Sequence, residues 1–301
     1  MSSTHSPDAT TARRVIRSVD ATRSLEGAGF VVRRPFPGPD LALVDPFLML
    51  DEMGPSEYPP GDAKGAPDHP HRGFETVTYI LEGEMEHRDS VGNRGVMRPG
   101  DVQWMTAGAG VIHSEMPTDE FQRRGGRMHG FQLWVNLPRE DKLMRPRYQD
   151  LRAADIPVVD SGGATVRVIA GEFAGRAGAG ETRIPIVFLH ATVRPGATLE
   201  VPVPADHSAF VYAFGGSGQA GRDTPLVDGR LVQFAPGEGA ITVRVGDDAP
   251  EPLEALILAG RPLREPIARY GPFVMNTREE IIQAFDDYQS GRMGAIEPLV
   301  G

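Results

Sequence analysis

Cysteine is absent from the 301 residues. Its absence excludes disulfides, thiolate ligands, zinc knuckles and cysteine nucleophiles together, so a metal in this chain must be held by nitrogen and oxygen. Positive charge is also in short supply: 31 Lys and Arg stand against 41 Asp and Glu, a formal net charge of −10. Such a surface repels a phosphate backbone instead of displacing its counterions, which argues against direct nucleic-acid binding. No apolar run approaches the roughly 20 residues of a membrane span. The first dozen residues, rich in Ser and Thr with Pro7, lack the apolar stretch of a signal peptide. The chain is expected to be cytoplasmic, monomeric and without a membrane partner, with residues 1–13 as a disordered tail.

Punctuation, by contrast, is abundant. There are 36 glycines and 27 prolines, without the repeat of a collagen or the low complexity of a disordered chain. From about Val31 to Val135 they separate short alternating apolar segments: Thr76–Leu81, Gly95–Met97, Val102–Met105 and Gly130–Val135. Short strands at intervals of roughly 8 to 12 residues indicate an all-β sandwich or jelly-roll barrel. A charged, proline-bearing stretch from Asn136 to Leu151 reads as a crossover between domains.

Beyond the crossover the rhythm resumes with Thr165–Ala170, Ile184–Val193, Leu199–Val203, Ala209–Phe214, Arg230–Phe234, Ala240–Val245 and Leu253–Ala259. The expected domains are therefore 14–140 and 141–301. Asp206–Tyr212 aligns loosely with Asp68–Tyr79, so the second half is expected to repeat the architecture of the first. Near the end, Thr277 followed by Glu280 is a capping-box signature. Ile281, Phe285 and Tyr288, with Ile282 beside them, give a helical apolar stripe, and a short helix is expected over Arg278–Tyr288.

Two short patterns carry the chemistry, His69-Pro70-His71 and His113-Ser114-Glu115. In a strand, residues i and i+2 share a face, so each pattern offers a matched pair of donors. Two such strands side by side would surround one point with three imidazoles and a carboxylate. The second half has no equivalent set: Asp206–Tyr212 keeps only His207, and Pro236–Ile241 has no histidine, so the second barrel is expected to hold no metal. A sulfur-free set suits Fe(II), and also Mn, Ni, Cu or Zn, and around an octahedral ion it leaves positions open for substrate and O2. Open positions point to catalysis more than to structure.

Glycine-bounded His-x-His, with Glu75 downstream and then Gly110-Val111-Ile112-His113, matches the two cupin motifs. The resemblance becomes closer in longer strings. Pro67-Asp68-His69-Pro70-His71-Arg72-Gly73-Phe74-Glu75-Thr76-Val77, Gln103-Trp104-Met105-Thr106-Ala107-Gly108 and His113-Ser114-Glu115-Met116-Pro117 resemble the pirin family, a bicupin group. Gln132-Leu133-Trp134-Val135-Asn136-Leu137-Pro138 and Gly271-Pro272-Phe273-Val274-Met275-Asn276-Thr277 are similar to further pirin signatures, and the resemblance runs from about residue 14 to 290.

That resemblance implies two tandem cupin domains, iron bound by His69, His71, His113 and Glu115, and Glu75 outside the ligand set as a carboxylate that supports the ligands or the fold. It implies either of two functions. One is a quercetin 2,3-dioxygenase-type reaction on a flavonol and O2, in which Glu115 doubles as general base. The other is a redox-responsive regulatory protein that binds a transcription factor or a metabolic enzyme. Phe74, Trp104 and Met105 are expected in the core or the pocket wall, His129 as a satisfied core histidine or at the pocket border, and Gln132 at the pocket border. His87, in the polar run Glu84–Asp89, is expected to be solvated, His190 and His207 structural, and His5 part of the tail.

Overall fold

The computed structural model describes residues 12–297. Apart from residues 12 and 13, the expected tail, with His5, lies outside them. The described chain forms two β-sandwiches of matching plan, each a seven-stranded sheet facing a four-stranded one. In the first, the large sheet runs Arg147–Leu151, Val102–Thr106, Phe74–Glu82, Gly126–Asn136, Phe47–Tyr58, Phe30–Phe36, Thr22–Glu26. Its small sheet runs Ala66–His71, Val111–Pro117, Met85–Asp89, Arg94–Met97. The second sandwich repeats this, with Ser208–Gly215 central in its large sheet as Phe74–Glu82 is in the first. The all-β bicupin expectation therefore holds. Among the described residues no helix is long and apolar enough to cross a membrane.

Strand alternation builds two kinds of core. On Phe74–Glu82, Val77 and Tyr79 face outward from the first sandwich and join Trp104, Phe131 and Leu133. These meet Phe188, Phe210, Tyr212 and Leu258 of the second sandwich, so the two large sheets pack back to back. The opposite parity, including Thr78, faces into the first sandwich. The interior of the second sandwich is mostly aliphatic, filled by residues such as Val168, Leu189, Val211, Val243 and Ile257, with Phe173 and Phe234 among them. Each such side chain contributes about 1.5–3 kcal/mol by leaving water.

Three segments cross the division expected at residue 140. Val15–Asp20, assigned by sequence to the first domain, pairs with Arg230–Phe234 and forms the edge of the second large sheet. Arg13, assigned to the tail, is buried, and its guanidinium donates to the carbonyls of Val203, Pro204 and His207. In the other direction, Arg147–Leu151 pairs with Val102–Thr106 at the edge of the first large sheet. Both exchanges cover an edge that would otherwise present unpaired backbone groups.

The C-terminal segment also returns to the first sandwich. Its hairpin, Ala268–Tyr270 with Phe273–Met275, leads into a helix at Arg278–Gln289 that opens with the expected capping box. Ile281 and Ala284 bury against Phe273 and Met293, with Phe285 packed beside them. Ile282 and Tyr288, expected in the apolar stripe, are exposed. Ile282 lies about 100° round the helix from Ile281, off the docked face.

Candidate metal centre

The strands Ala66–His71 and Val111–Pro117 lie antiparallel with His113 opposite His69. Alternation turns His69, His71, His113 and Glu115 toward the inside of the sandwich. The imidazoles converge: their centroids are 4.3 to 4.8 Å apart, and one nitrogen from each lies within 4.8 Å of the others. Two glycines permit the close approaches around them. A Cβ at Gly65 would collide with the Glu115 carbonyl, and one at Gly73, where φ is +84°, with the Val274 carbonyl.

Each ring has a defined role for Nδ1. His69 Nδ1 lies 2.7 Å from the Pro67 carbonyl and His71 Nδ1 3.2 Å from the Pro272 carbonyl. A carbonyl only accepts, so Nδ1–H donates and Nε2 keeps the lone pair. Burial, reinforced by the neighbouring imidazoles, holds His71 and His113 well below the usual histidine pKa. Neutral imidazole is the ligating form. His113 Nε2 is buried without a hydrogen-bond partner, a costly arrangement that a bound cation resolves. This donor set fits a first-row divalent ion.

Glu115 lies on the same face but is held to one side of the histidine cluster. Its Oε1 accepts from Thr78 Oγ1 at 2.6 Å and its Oε2 from Gln132 Nε2 at 2.7 Å. Each oxygen retains a lone pair. His69, His71, Glu115 and Gln132 line a cavity of about 520 Å³ with Phe30, Met49, Met53, Met85 and Trp134. Polar groups gather at the same cavity: Arg34 pairs with Asp51 and Glu26, and the Arg269 guanidinium stacks 4.7 Å from the Trp134 ring.

The other candidate residues divide between the core and the back of the site. Glu75 has the opposite strand parity from Thr78 and accepts from Thr106 Oγ1 at 2.6 Å, on the side of the sheet away from the three histidines. Burial raises its pKa, against the hydrogen bond from Thr106. Trp104 belongs to the core between the sandwiches, and Met105 packs with Ala107 and Val111. His129 also faces the junction of the sandwiches, 2.9 Å from Glu52. Phe74 packs against His71 and Trp134 and supports the site from behind. His190 lies 2.7 Å from the Tyr79 hydroxyl and 2.9 Å from Glu254.

His87 is the clearest departure from expectation, because it is 0% exposed. Along Met85–Asp89 the residues Met85, His87 and Asp89 face inward while Glu86 and Arg88 face outward. The polar run is one half-buried strand, and His-x-Asp repeats the i, i+2 spacing of the other two donor patterns. That spacing was the available signal.

The C-terminal segment supplies the remaining support. Besides the Pro272 carbonyl on His71, Arg72 pairs with Asp287 at 2.8 Å. Lys142 Nζ donates to the Gly73 and Val274 carbonyls and to Asn136 Oδ1, and burial lowers its pKa to about 8. These contacts span the whole chain and leave no local sequence signature.

The pirin family model matches residues 29–135 and the pirin C-terminal cupin domain model matches 188–294. A pirin-like protein of Solanum lycopersicum is 44% identical over 284 residues, covering 94% of this chain and 93% of that protein. The pirin of Homo sapiens is 42% identical over 284 residues, 94% of each chain. Among solved structures, a quercetin 2,3-dioxygenase from Acinetobacter baumannii superposes with a TM-score of 0.87 at 37% identity, over 95% of this chain and 100% of that one. With two tandem cupin sandwiches and a match over nearly its whole length, this chain belongs to the pirin family.

Proposed function

We propose that this chain is a metal-dependent dioxygenase of the quercetin 2,3-dioxygenase type, which opens a flavonol ring with O2 and releases carbon monoxide. The observation that carries this reading is the convergence of three imidazoles beside a cavity that Glu115 also lines. His69, His71, His113 and Glu115 would hold the ion, with Fe(II) as our assignment and Mn, Ni, Cu or Zn compatible with the same donors. Bound there, the metal supplies Lewis acidity toward the substrate oxygen and redox coupling to O2.

The protein groups do the rest. Glu115 takes the proton of the flavonol 3-hydroxyl on a lone pair that Thr78 and Gln132 leave free. Trp134, Phe30 and the methionines offer apolar walls to a planar aromatic, and the cavity volume is in the range of small-molecule sites. Arg269, stacked on Trp134, places a cation beside any developing negative charge. The test is anaerobic loading with Fe(II), then O2-dependent quercetin loss and carbon monoxide detection, beside His113→Ala. No turnover at full iron occupancy overturns the enzyme reading. Equal metal content in wild type and His113→Ala overturns the ligand assignment.

One observation favours a second reading, a redox-responsive regulator that binds a transcription factor or metabolic enzyme. The segment whose Pro272 carbonyl touches His71 also displays the exposed Tyr270 and Ile282, so a change at the ion has a short route to a surface. Hydrogen exchange across residues 268–293 that ignores both metal loading and iron oxidation would remove this reading.

A further inference from the structure

Behind the three imidazoles, the strand Met85–Asp89 pairs with Val111–Pro117 so that His87 lies opposite Glu115 and Asp89 opposite His113. His87 Nδ1 is 3.4 Å from His113 Nδ1, and His87 Nε2 is 3.4 Å from Asp89 Oδ2. The far end of this row is fixed. Asp89 Oδ1 accepts from the backbone of Val91 and Asn93, and Oδ2 accepts from Asn93 Nδ2 at 2.7 Å. The Tyr148 ring packs on His87 at 5.0 Å between centroids.

Hydrogen-bond accounting gives the row a direction. A carboxylate only accepts, so His87 donates from Nε2, and a neutral ring then has its lone pair on Nδ1. His113 must donate from its own Nδ1 to meet that lone pair. Its remaining lone pair falls on Nε2, the buried nitrogen with no partner. We infer that His87 and Asp89 are positioning residues for the metal, locking His113 in the tautomer that presents Nε2 to the ion. His69 and His71 are oriented by backbone carbonyls. His113 is oriented by a side-chain row that ends in a carboxylate, an arrangement that also raises the donor strength of the ligating nitrogen.

This inference rests on reading the three histidines as a metal site, and its test separates the two. In metal-free full-length protein, two-bond ¹H–¹⁵N imidazole spectra are expected to show His113 protonated at Nδ1 in wild type and as a tautomer mixture in His87→Phe. Affinity for Fe(II), and for Mn(II) as an air-stable probe, is measured by chelator competition. It is expected to fall about 10- to 100-fold in His87→Phe and by a smaller factor in Asp89→Asn. His87→Gln, which keeps one donor and one acceptor, is expected to recover most of the loss. Thermal melting of the metal-free variants reports on folding, and Asp89→Asn carries the affinity test if His87→Phe does not fold. Wild-type affinity in a folded His87→Phe or Asp89→Asn protein overturns the inference, as does a wild-type His113 protonated at Nε2. Absence of metal binding by wild type overturns the site reading itself, and the tautomer measurement then still decides whether the row orients His113.

Discussion

Glu115 holds its carboxylate between a Thr78 hydroxyl and a Gln132 amide, on the face that His113 shares. Those two donors fix its orientation, and the remaining lone pairs are what an ion or a substrate proton would use. Glu115→Gln keeps the volume but removes the charge and most of the basicity, while the three imidazoles stay in place. Turnover is expected to fall about 10²- to 10⁴-fold, with metal retained by the histidines, as checked by kcat alongside metal content. Full turnover at equal occupancy would assign the proton to another group. At this scale much of the site was legible, because i, i+2 spacing on a strand gives His69, His71, His113 and Glu115 one inward face. His87 escaped although it has the same spacing with Asp89, since the charged Glu86 and Arg88 on the opposite face make the run look wholly solvated. Glu75, expected outside the ligand set, is close in sequence to the His-x-His but points to the other side of its sheet.

The C-terminal hairpin and helix act as a strap across the strand that carries His69 and His71, and an ion pair fastens it. Asp287 receives Arg72 at 2.8 Å, and Gln283 and Arg292 also donate to it. Burial works to raise the Asp287 pKa, but these hydrogen bonds outweigh it and hold the group at about 2. A carboxylate with a depressed folded-state pKa contributes stability that is fully present above its unfolded value near 4, and the contribution is lost as pH falls toward 2. Asp287→Asn is therefore expected to melt below wild type at neutral pH, with the difference in Tm shrinking between about pH 4 and pH 2. A difference independent of pH would mean that the charge on Asp287 does not fasten the strap. The helix itself was readable from its capping box and apolar stripe. Its docking site was not, because the Pro272 contact to His71 joins residues 201 positions apart and neither partner carries a local signal.

The two sandwiches are joined back to back by an apolar interface with a polar centre at Glu52, which is fully buried. Glu52 accepts from Arg33 at 2.6 and 2.9 Å, from His129 at 2.9 Å and from the Tyr212 hydroxyl of the second sandwich at 2.6 Å. Arg33 also reaches across to Asp228. Burial, followed by the charge of Glu52, keeps the Tyr212 hydroxyl protonated far above the usual phenol range, so it serves as a donor. The repeated architecture was legible from the rhythm of short strands and turns, but this junction was not. Asp51 and Glu52 lie in the middle of the strand Phe47–Tyr58, and nothing local in the sequence shows that both carboxylates are paired inside the fold. Satisfied on all sides, such a network adds little net stability over apolar packing, but removing one member strands the others. Glu52→Ala leaves Arg33, His129 and Tyr212 short of their shared acceptor and is expected to cost about 3–5 kcal/mol, a fall in Tm on the order of 10 °C for a chain of this size. Calorimetry should show one transition in wild type, because strands exchanged between the sandwiches tie their unfolding together. A Tm unchanged in Glu52→Ala would mean that apolar contacts alone hold the junction, and two separate wild-type transitions would mean that the exchanged strands do not couple the sandwiches.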